Sequence, residues 1–175
     1  AQVPGSRALL AHCGSLSKVL SPGLRVGWMI APADLLARAT MCKQFSDAHT
    51  STFAQATAAQ YLKAGRMPGT LAKVRAVYAE RARTMGEALR TELGDAISFS
   101  QPGGGLFFWA RLTGAGGKVQ DGNELAKRAI EKGVAFVPGT PFFASQPDHA
   151  TLRLSFATAD VAKIREGVAR LGQAL

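Results

Sequence analysis

Cysteine is scarce in this 175-residue chain, and long apolar runs are missing. The two cysteines, Cys13 and Cys42, are too few and too irregularly spaced for a disulfide framework or a zinc site, and they suit a reducing compartment. No run approaches the roughly 18 apolar residues that a membrane span requires, and the N-terminus lacks the basic region and apolar stretch of a signal peptide. We therefore expect a globular, cytoplasmic protein without a membrane partner or a metal site.

Acidic residues are also few, since 12 Asp and Glu stand against 21 Lys and Arg and give a formal net charge of +9. Such a charge can attract nucleic acid or another polyanion. No basic block with interleaved aromatic residues accompanies it, however, and many of the basic residues are spread along one predicted helix and interrupted by glutamates: Lys73, Arg75, Arg81, Arg83 and Arg90. The pattern favours a solvated helix face, and we expect no nucleic-acid partner for this segment.

The spacing of apolar residues predicts five helices. One begins after Pro32, and a short helix follows it. The longest covers about residues 70–93, where apolar residues recur every three or four positions. Asp121 is placed to cap a fourth helix, with Glu124 three residues later in the position of a capping box. The last helix is expected from about Ala159.

Short apolar runs predict strands between these helices: "RVGWMIA", "AISFS", "LFFWARL", "VAFV" and "TLRLSFA". The last run alternates, so that Leu152, Leu154 and Phe156 face one way while Arg153 and Ser155 face the other. The predicted fold class is α/β, with an α+β second half in which a small mixed or antiparallel sheet is covered by helices.

One glycine- and proline-rich stretch, "HCGSLSKVLSPGLRVGW", concentrates residues that can carry chemistry. Ser15 and Ser17 supply hydroxyl donors and Arg25 a bidentate cation, which together suit a dianionic phosphate. Lys18 lies among them, and a lysine held beside an arginine and desolvated can act as an amine nucleophile toward an aldehyde. Phosphate and aldehyde together indicate pyridoxal phosphate. The alternative on spacing alone is a surface lysine in a turn.

A second motif competes for the same residues. Ser15 and Lys18 also fit S-x-x-K, in which the lysine helps to activate a serine nucleophile. The companion motifs K-T-G and S-D-N are missing from the sequence. "TGAGGKV" lacks the spacing of a phosphate-binding loop, and the three histidines are scattered. S-x-x-K alone is a weak signal.

Four segments resemble fold-type I pyridoxal-phosphate aminotransferases. "GSLSKVLSPGLRVGW" is similar to the lysine segment of the class I/II subgroup that contains the 2-aminoadipate and kynurenine aminotransferases. "QPGGGLFFWARL", "GVAFVPGTPFF" and "LRLSFA" resemble three further segments of that family in the family's order. The resemblance implies that Lys18 is the catalytic Schiff-base lysine, that Ser15, Ser17 and Arg25 bind the cofactor's phosphate, and that Arg153 binds the substrate's α-carboxylate.

The resemblance covers only the C-terminal portion of such an enzyme. It implies that residues 1–65 are the end of the large cofactor-binding domain and residues 66–175 the small C-terminal domain. The chain starts at Ala1 without a methionine, and we expect it to begin inside a longer protein and to be inactive alone. The implied parent is a homodimeric aminotransferase acting on an amino acid and a 2-oxo acid. Two alternatives remain, namely the effector domain of a MocR-type transcription regulator and a non-catalytic remnant.

Overall fold

A computed structural model of the chain describes residues 3–117 and 120–175. They form two compact units, one ending at Lys73 and the other starting at Val74. The family domain boundary expected after residue 65 stays a prediction. Among the helices of the described residues, none combines the length and the apolar character needed to cross a membrane.

The first unit begins with a two-stranded antiparallel hairpin followed by helices. Strand β1 (His12–Ser15) pairs with β2 (Gly27–Ile30), so that Ser15 lies opposite Gly27. Helix α1 (Ala33–Asp47) starts after Pro32 as expected, and α2 (Thr52–Lys63) follows with the Ser51 hydroxyl accepting from the Ala54 amide. The hairpin therefore presents the residues between β1 and β2 as one continuous turn region.

The long third helix, α3 (Met67–Leu93), starts three residues earlier than the sequence predicts. Pro68 falls in its first turn, where the missing amide hydrogen costs nothing because the first amides of a helix have no partner within it. Gly94, with φ of 51°, follows the last residue of the helix. Pro68, which precedes the predicted helix start at about residue 70, therefore belongs to the first turn of α3.

The second unit is built on a four-stranded antiparallel sheet in the order β3-β4-β6-β5. Its strands and helices are β3 (Ile97–Phe99), β4 (Phe107–Leu112), α4 (Gly122–Glu131), β5 (Val137–Pro138), β6 (Thr151–Ser155) and α5 (Val161–Ala174). The expected α+β class, with a small sheet covered by helices, is confirmed. The "VAFV" strand was predicted too long, because only Val137 pairs within it and Pro138 completes β5.

Side-chain alternation divides the sheet into two faces. In β4 every second residue is buried, beginning with Phe108, and in β6 Leu152 and Leu154 are buried as predicted. The core that they join includes Leu89 of α3, Leu125 of α4 and Leu171 of α5. The opposite sheet face carries exposed and half-buried residues, among them Phe107, Trp109, Arg111 and Arg153.

The structure shows how the N-termini of α4 and α5 are capped. The Asp121 carboxylate accepts from the amides of Asn123 and Glu124 and so caps α4 as predicted. The Glu124 carboxylate accepts from Arg128 one turn later, so the reciprocal half of the expected capping box is replaced by an ion pair. Helix α5 starts at Val161, because the Asp160 carboxylate caps it by accepting from the Lys163 amide.

Candidate active site

The predicted lysine lies in a tightly hydrogen-bonded turn directly after β1. Leu16 anchors the turn, since its side chain is buried and its amide donates to the Val26 carbonyl at 3.0 Å. The Leu16 carbonyl accepts from the amides of Leu20 at 2.8 Å and Ser21 at 3.1 Å. These bonds fix the backbone around Lys18, whose side chain is exposed.

Two of the predicted phosphate ligands meet beside this lysine in the chain. The Ser15 hydroxyl donates to the Ser17 hydroxyl at 3.0 Å, and the Ser17 amide donates to the Ser15 hydroxyl oxygen at 3.1 Å. A serine hydroxyl can rotate to meet another acceptor, so both remain available as donors to an anion. Within the described residues the Lys18 amine forms no ion pair.

Arg25, the third predicted phosphate ligand, has an unusual backbone. Its φ of 53° and ψ of 34° lie in the left-handed region, and it ends a short 3-10 turn, Pro22–Leu24. Its guanidinium donates to the Pro22 carbonyl at 3.3 Å and is otherwise exposed. Left-handed backbone in a residue other than glycine, asparagine or aspartate is uncommon, and it is held here by the surrounding turn.

Glycines in the hairpin have a packing role that the sequence did not indicate. A Cβ atom at Gly14 would lie 2.2 Å from the indole ring of Trp28, its partner on β2. A Cβ atom at Gly27 would lie 2.9 Å from the Gly14 carbonyl oxygen. Gly14 and Gly27 therefore admit the indole and the opposite strand, whereas Gly23 has only the Ser21 hydroxyl nearby, at 3.8 Å.

The predicted carboxylate ligand, Arg153, belongs to the second unit. It lies in β6 between Trp109 of β4 and Val137 of β5, on the sheet face opposite the core. Its guanidinium carbon lies 4.3 Å from the ring centre of Phe107 and 4.7 Å from that of Phe142. In the part of the chain that the structure describes, Arg153 forms no ion pair with a carboxylate.

Sequence reasoning missed the two aromatic neighbours of Arg153. Alternation within "LFFWARL" does place Phe107 and Trp109 on one face of β4, but only the pairing of β4 with β6 shows that this face also carries Arg153. Phe142 lies in the 3-10 turn Thr140–Phe142, for which no periodic signal exists. Finding Phe107 would have required the register between β4 and β6, and finding Phe142 would have required the conformation of its turn.

An ion pair borders the same sheet face. The Arg111 side chain donates to the Asp148 carboxylate at 2.8 Å. This hydrogen bond, together with the Ala150 amide that donates to the other carboxylate oxygen at 3.0 Å, lowers the pKa of Asp148 from its ordinary value. The pair ties the loop before β6 to β4.

The structure thus places Ser15 at the end of β1, Ser17 and Lys18 in the turn that follows, Arg25 further along the same segment and Arg153 in the other unit. The roles of all five residues stay predictions.

The chain resembles known proteins both in sequence and in structure. The family model for aminotransferase class I and II matches residues 3–171. A 2-aminoadipate transaminase of Thermus thermophilus is 44% identical over 94% of this chain and 40% of its own length. The crystal structure of LysN, an alpha-aminoadipate aminotransferase from Thermus thermophilus complexed with N-(5'-phosphopyridoxyl)-L-leucine, matches with a TM-score of 0.86 at 43% identity, over 94% of this chain and 41% of that one.

Regulators also appear among the relatives. The HTH-type transcriptional regulator TauR of Rhodobacter capsulatus is 33% identical over 95% of this chain and 34% of its own length. The chain therefore spans about 40% or less of the length of these relatives.

Proposed function

Because the chain belongs to the class I and II aminotransferase family, we propose that the whole protein containing it is a pyridoxal-phosphate-dependent aminotransferase. It transfers an α-amino group between an amino acid and a 2-oxo acid. The observation that carries the proposal is the family match over residues 3–171, within which the Lys18 turn holds the residue types that the chemistry needs.

The donor set of the first unit fits the cofactor. Ser15 and Ser17 offer hydroxyl donors and Arg25 a guanidinium, which suit a phosphate group, and the stretch from His12 to Trp28 contains no acidic residue that would repel it. Lys18 offers the amine that would hold an aldehyde carbon covalently. When bound, pyridoxal phosphate supplies a conjugated ring that accepts the electrons released at the substrate's α-carbon.

Lys18 has a second role once its amine is free. Its Nζ would then act as the general base that takes the proton from the substrate's α-carbon, and the protonated amine would act as the general acid that delivers this proton to C4′ of the cofactor. The exposed side chain on a fixed backbone turn supports this role, because Nζ can move while its anchor does not.

Arg153 binds the α-carboxylate of the amino acid or 2-oxo acid. Its guanidinium presents five N–H donors in a planar fork that matches a carboxylate in a bidentate way. Support comes from its position on the open sheet face and from the lack of a carboxylate partner among the described residues.

Reduction with borohydride tests the Lys18 assignment directly. The whole protein is loaded with pyridoxal phosphate, reduced and digested, and the peptides are mapped by mass spectrometry. We expect the pyridoxyl adduct on Lys18 and its loss in Lys18→Ala, whereas Lys43→Ala, which removes an exposed lysine paired with Asp47 at 2.9 Å, keeps it. An adduct on Lys43 or Lys63 of the unmodified protein contradicts the assignment.

Turnover tests the reaction. The whole protein is mixed with an amino acid, 2-aminoadipate included, and with a 2-oxo acid, and the exchanged products are identified. Stoichiometric appearance of the new amino acid and the new 2-oxo acid, abolished by Lys18→Ala, is the expected result. A protein that retains the cofactor but turns over none of the donors contradicts the proposal and indicates a non-catalytic remnant.

The similarity to TauR favours a second candidate, the effector domain of a transcription regulator. A helix-turn-helix segment upstream of this chain, with sequence-specific DNA binding by the whole protein that a cognate amino acid changes, would support it. Neither of these observations is expected if the protein is an aminotransferase only.

Assembly and location complete the proposal. The family resemblance supports a homodimer, which light scattering of the whole protein tests by its molar mass. A cytoplasmic location is supported by the scarcity of cysteine, and cell fractionation tests it.

A further inference from the structure

Arg153 is held by aromatic rings instead of by an acid. Its guanidinium lies over the ring of Phe107 at 4.3 Å and over the ring of Phe142 at 4.7 Å, both within the distance at which a cation is attracted to a ring face. Elsewhere in the described residues, arginines such as Arg83, Arg111 and Arg170 pair with carboxylates.

The type of contact determines which hydrogen bonds the guanidinium can still donate. All five N–H groups of an arginine point outward in the guanidinium plane, so a carboxylate partner would occupy donors. Ring faces hold the cation through its charge and its flat surface and use no donor. Arg153 is thereby restrained while its hydrogen-bonding edge stays available.

Phe107 is positioned by the sheet. It pairs with Ser155 across β4 and β6, which makes Arg153 its diagonal neighbour on the same face. Diagonal neighbours are within reach of aromatic and long side chains. The contact is therefore fixed by strand register.

Phe142 is positioned by its turn. Its amide donates to the Gly139 carbonyl at 3.0 Å, and the Gly139 amide donates to the Thr151 carbonyl of β6 at 2.8 Å. A Cβ atom at Gly139 would lie 2.0 Å from the Thr151 hydroxyl, so the turn packs directly on the strand. The Phe142 ring also meets Trp109 edge to face at 5.7 Å.

We propose that Phe107 and Phe142 are positioning residues that hold the Arg153 guanidinium in one orientation with its N–H donors free for a carboxylate. The inference rests on the proposed function for the identity of that carboxylate, and on the two ring contacts for the restraint itself. Neither phenylalanine touches the reacting atoms in this assignment.

The restraint is measurable without any turnover. In whole protein labelled with ¹⁵N-arginine, the Nε–H signal of Arg153 is assigned by its loss in Arg153→Lys. We expect Phe142→Leu and Phe107→Leu each to remove part of the ring-induced shift of this signal and to lower its order parameter to below about 0.6, the range of flexible groups. Phe142→Tyr, which keeps a ring at this position, should leave both the shift and the order parameter close to those of the unmodified protein.

Phe143→Leu is the matched control. Phe143 is the next residue, is also exposed and has its ring centre 6.1 Å from that of Trp109, but its ring is not among those that lie over Arg153. We expect it to leave the Arg153 signal unchanged. An Arg153 order parameter that stays the same in both Phe107→Leu and Phe142→Leu, or that falls equally in Phe143→Leu, overturns the inference.

Kinetics separates this inference from the proposed function. Phe142→Leu should raise the KM for the amino acid about tenfold with kcat within twofold, and should change KM less than twofold when Arg153 is already alanine, because the ring then has no cation to hold. If Phe142→Leu loosens Arg153 but KM is unaffected even by Arg153→Ala, the positioning stands and the carboxylate role of Arg153 fails. An equal rise in KM in both backgrounds overturns the positioning.

Discussion

The two units of the chain keep their residues in place by different means. In the unit that starts at Val74, a continuous core joins the inner sheet face to three helices, and Phe108, Leu125 and Leu152 are fully buried. In the unit that ends at Lys73, the buried apolar side chains among the described residues are Leu16, Ala54 and Ala58. Among the described residues of this chain, side-chain packing dominates in the second unit, whereas backbone hydrogen bonds hold the turn around Lys18 in the first.

Because of this difference, we expect substitutions in the two units to have different effects. Arg153 lies on a sheet whose opposite face packs into the core, so its backbone is held by strand pairing and by that packing. Lys18 stands on a turn organised around the Leu16 carbonyl, so its position depends on backbone geometry. Core substitutions should therefore lower the stability of the second unit. Substitutions that alter the backbone should change the local structure of the first unit.

The largest expected effect is the loss of core packing in Phe108→Ala. Phe108 meets Phe99 at 5.3 Å and Phe156 at 5.9 Å between ring centres, and its removal leaves a cavity. We expect the free energy of unfolding to fall by about 3–5 kcal/mol. Urea unfolding followed by Trp109 fluorescence in a Trp28→Phe background reports on this unit. Ile130→Ala, at a residue 65% exposed, should stay within about 0.5 kcal/mol, and a comparable loss there would contradict the core assignment.

Replacing each of the two site arginines with alanine should impair a different step. Arg153→Ala should weaken the amino acid half-reaction of the whole protein by roughly 2–5 kcal/mol, because a carboxylate is left poorly paired, while the cofactor stays bound. Arg25→Ala should chiefly weaken retention of pyridoxal phosphate, measured by its absorbance after dialysis. Equal cofactor loss in both variants would remove the distinction between a phosphate ligand and a carboxylate ligand.

Gly14→Ala tests the hairpin of the first unit. The new methyl group would overlap the Trp28 indole, so the ring must turn outward, and overpacking of this kind costs about 1–3 kcal/mol. In a Trp109→Phe background, Trp28 fluorescence should shift to longer wavelength. Gly23→Ala is the control, because its nearest neighbour would be 3.8 Å away. A fluorescence spectrum unchanged by Gly14→Ala would show that the indole does not cover this glycine.

The smallest effect concerns acid pH. The Arg111 hydrogen bond lowers the pKa of Asp148 from its ordinary value, so the stabilisation by the ionised form is complete above the ordinary pKa and is lost as the pH falls through the lowered one. Asp148→Asn should therefore flatten the pH dependence of stability at acid pH. At neutral pH it should cost less than about 1 kcal/mol, as is usual for an exposed ion pair. Unfolding midpoints measured from pH 2 to pH 7 check both statements, and an unchanged slope at acid pH would contradict them.

Local patterns were predictable from the sequence, and contacts between distant segments were not. The alternation of Leu152 and Leu154 and the Asp121 cap follow from neighbouring residues, and the structure confirms them. The Phe107 ring over Arg153 and the indole over Gly14 depend on strand register, and the Phe142 ring depends on the conformation of its turn, neither of which a single sequence specifies. For the candidate site, the turn around Lys18 follows from its glycines and proline, and its residue types already suit a phosphate and an aldehyde. The carboxylate role of Arg153 came from family resemblance, and all of these roles stay predictions.

The left-handed backbone of Arg25 influences which residues that position would accept under selection. Holding an L-residue in this region costs roughly 1–2 kcal/mol, a cost that glycine avoids. A library of variants selected for heat resistance alone should therefore enrich glycine at position 25, whereas one selected for growth that depends on the enzyme should keep arginine. Persistence of an arginine where the backbone favours glycine would mark a position at which evolution has preserved chemistry at the expense of robustness.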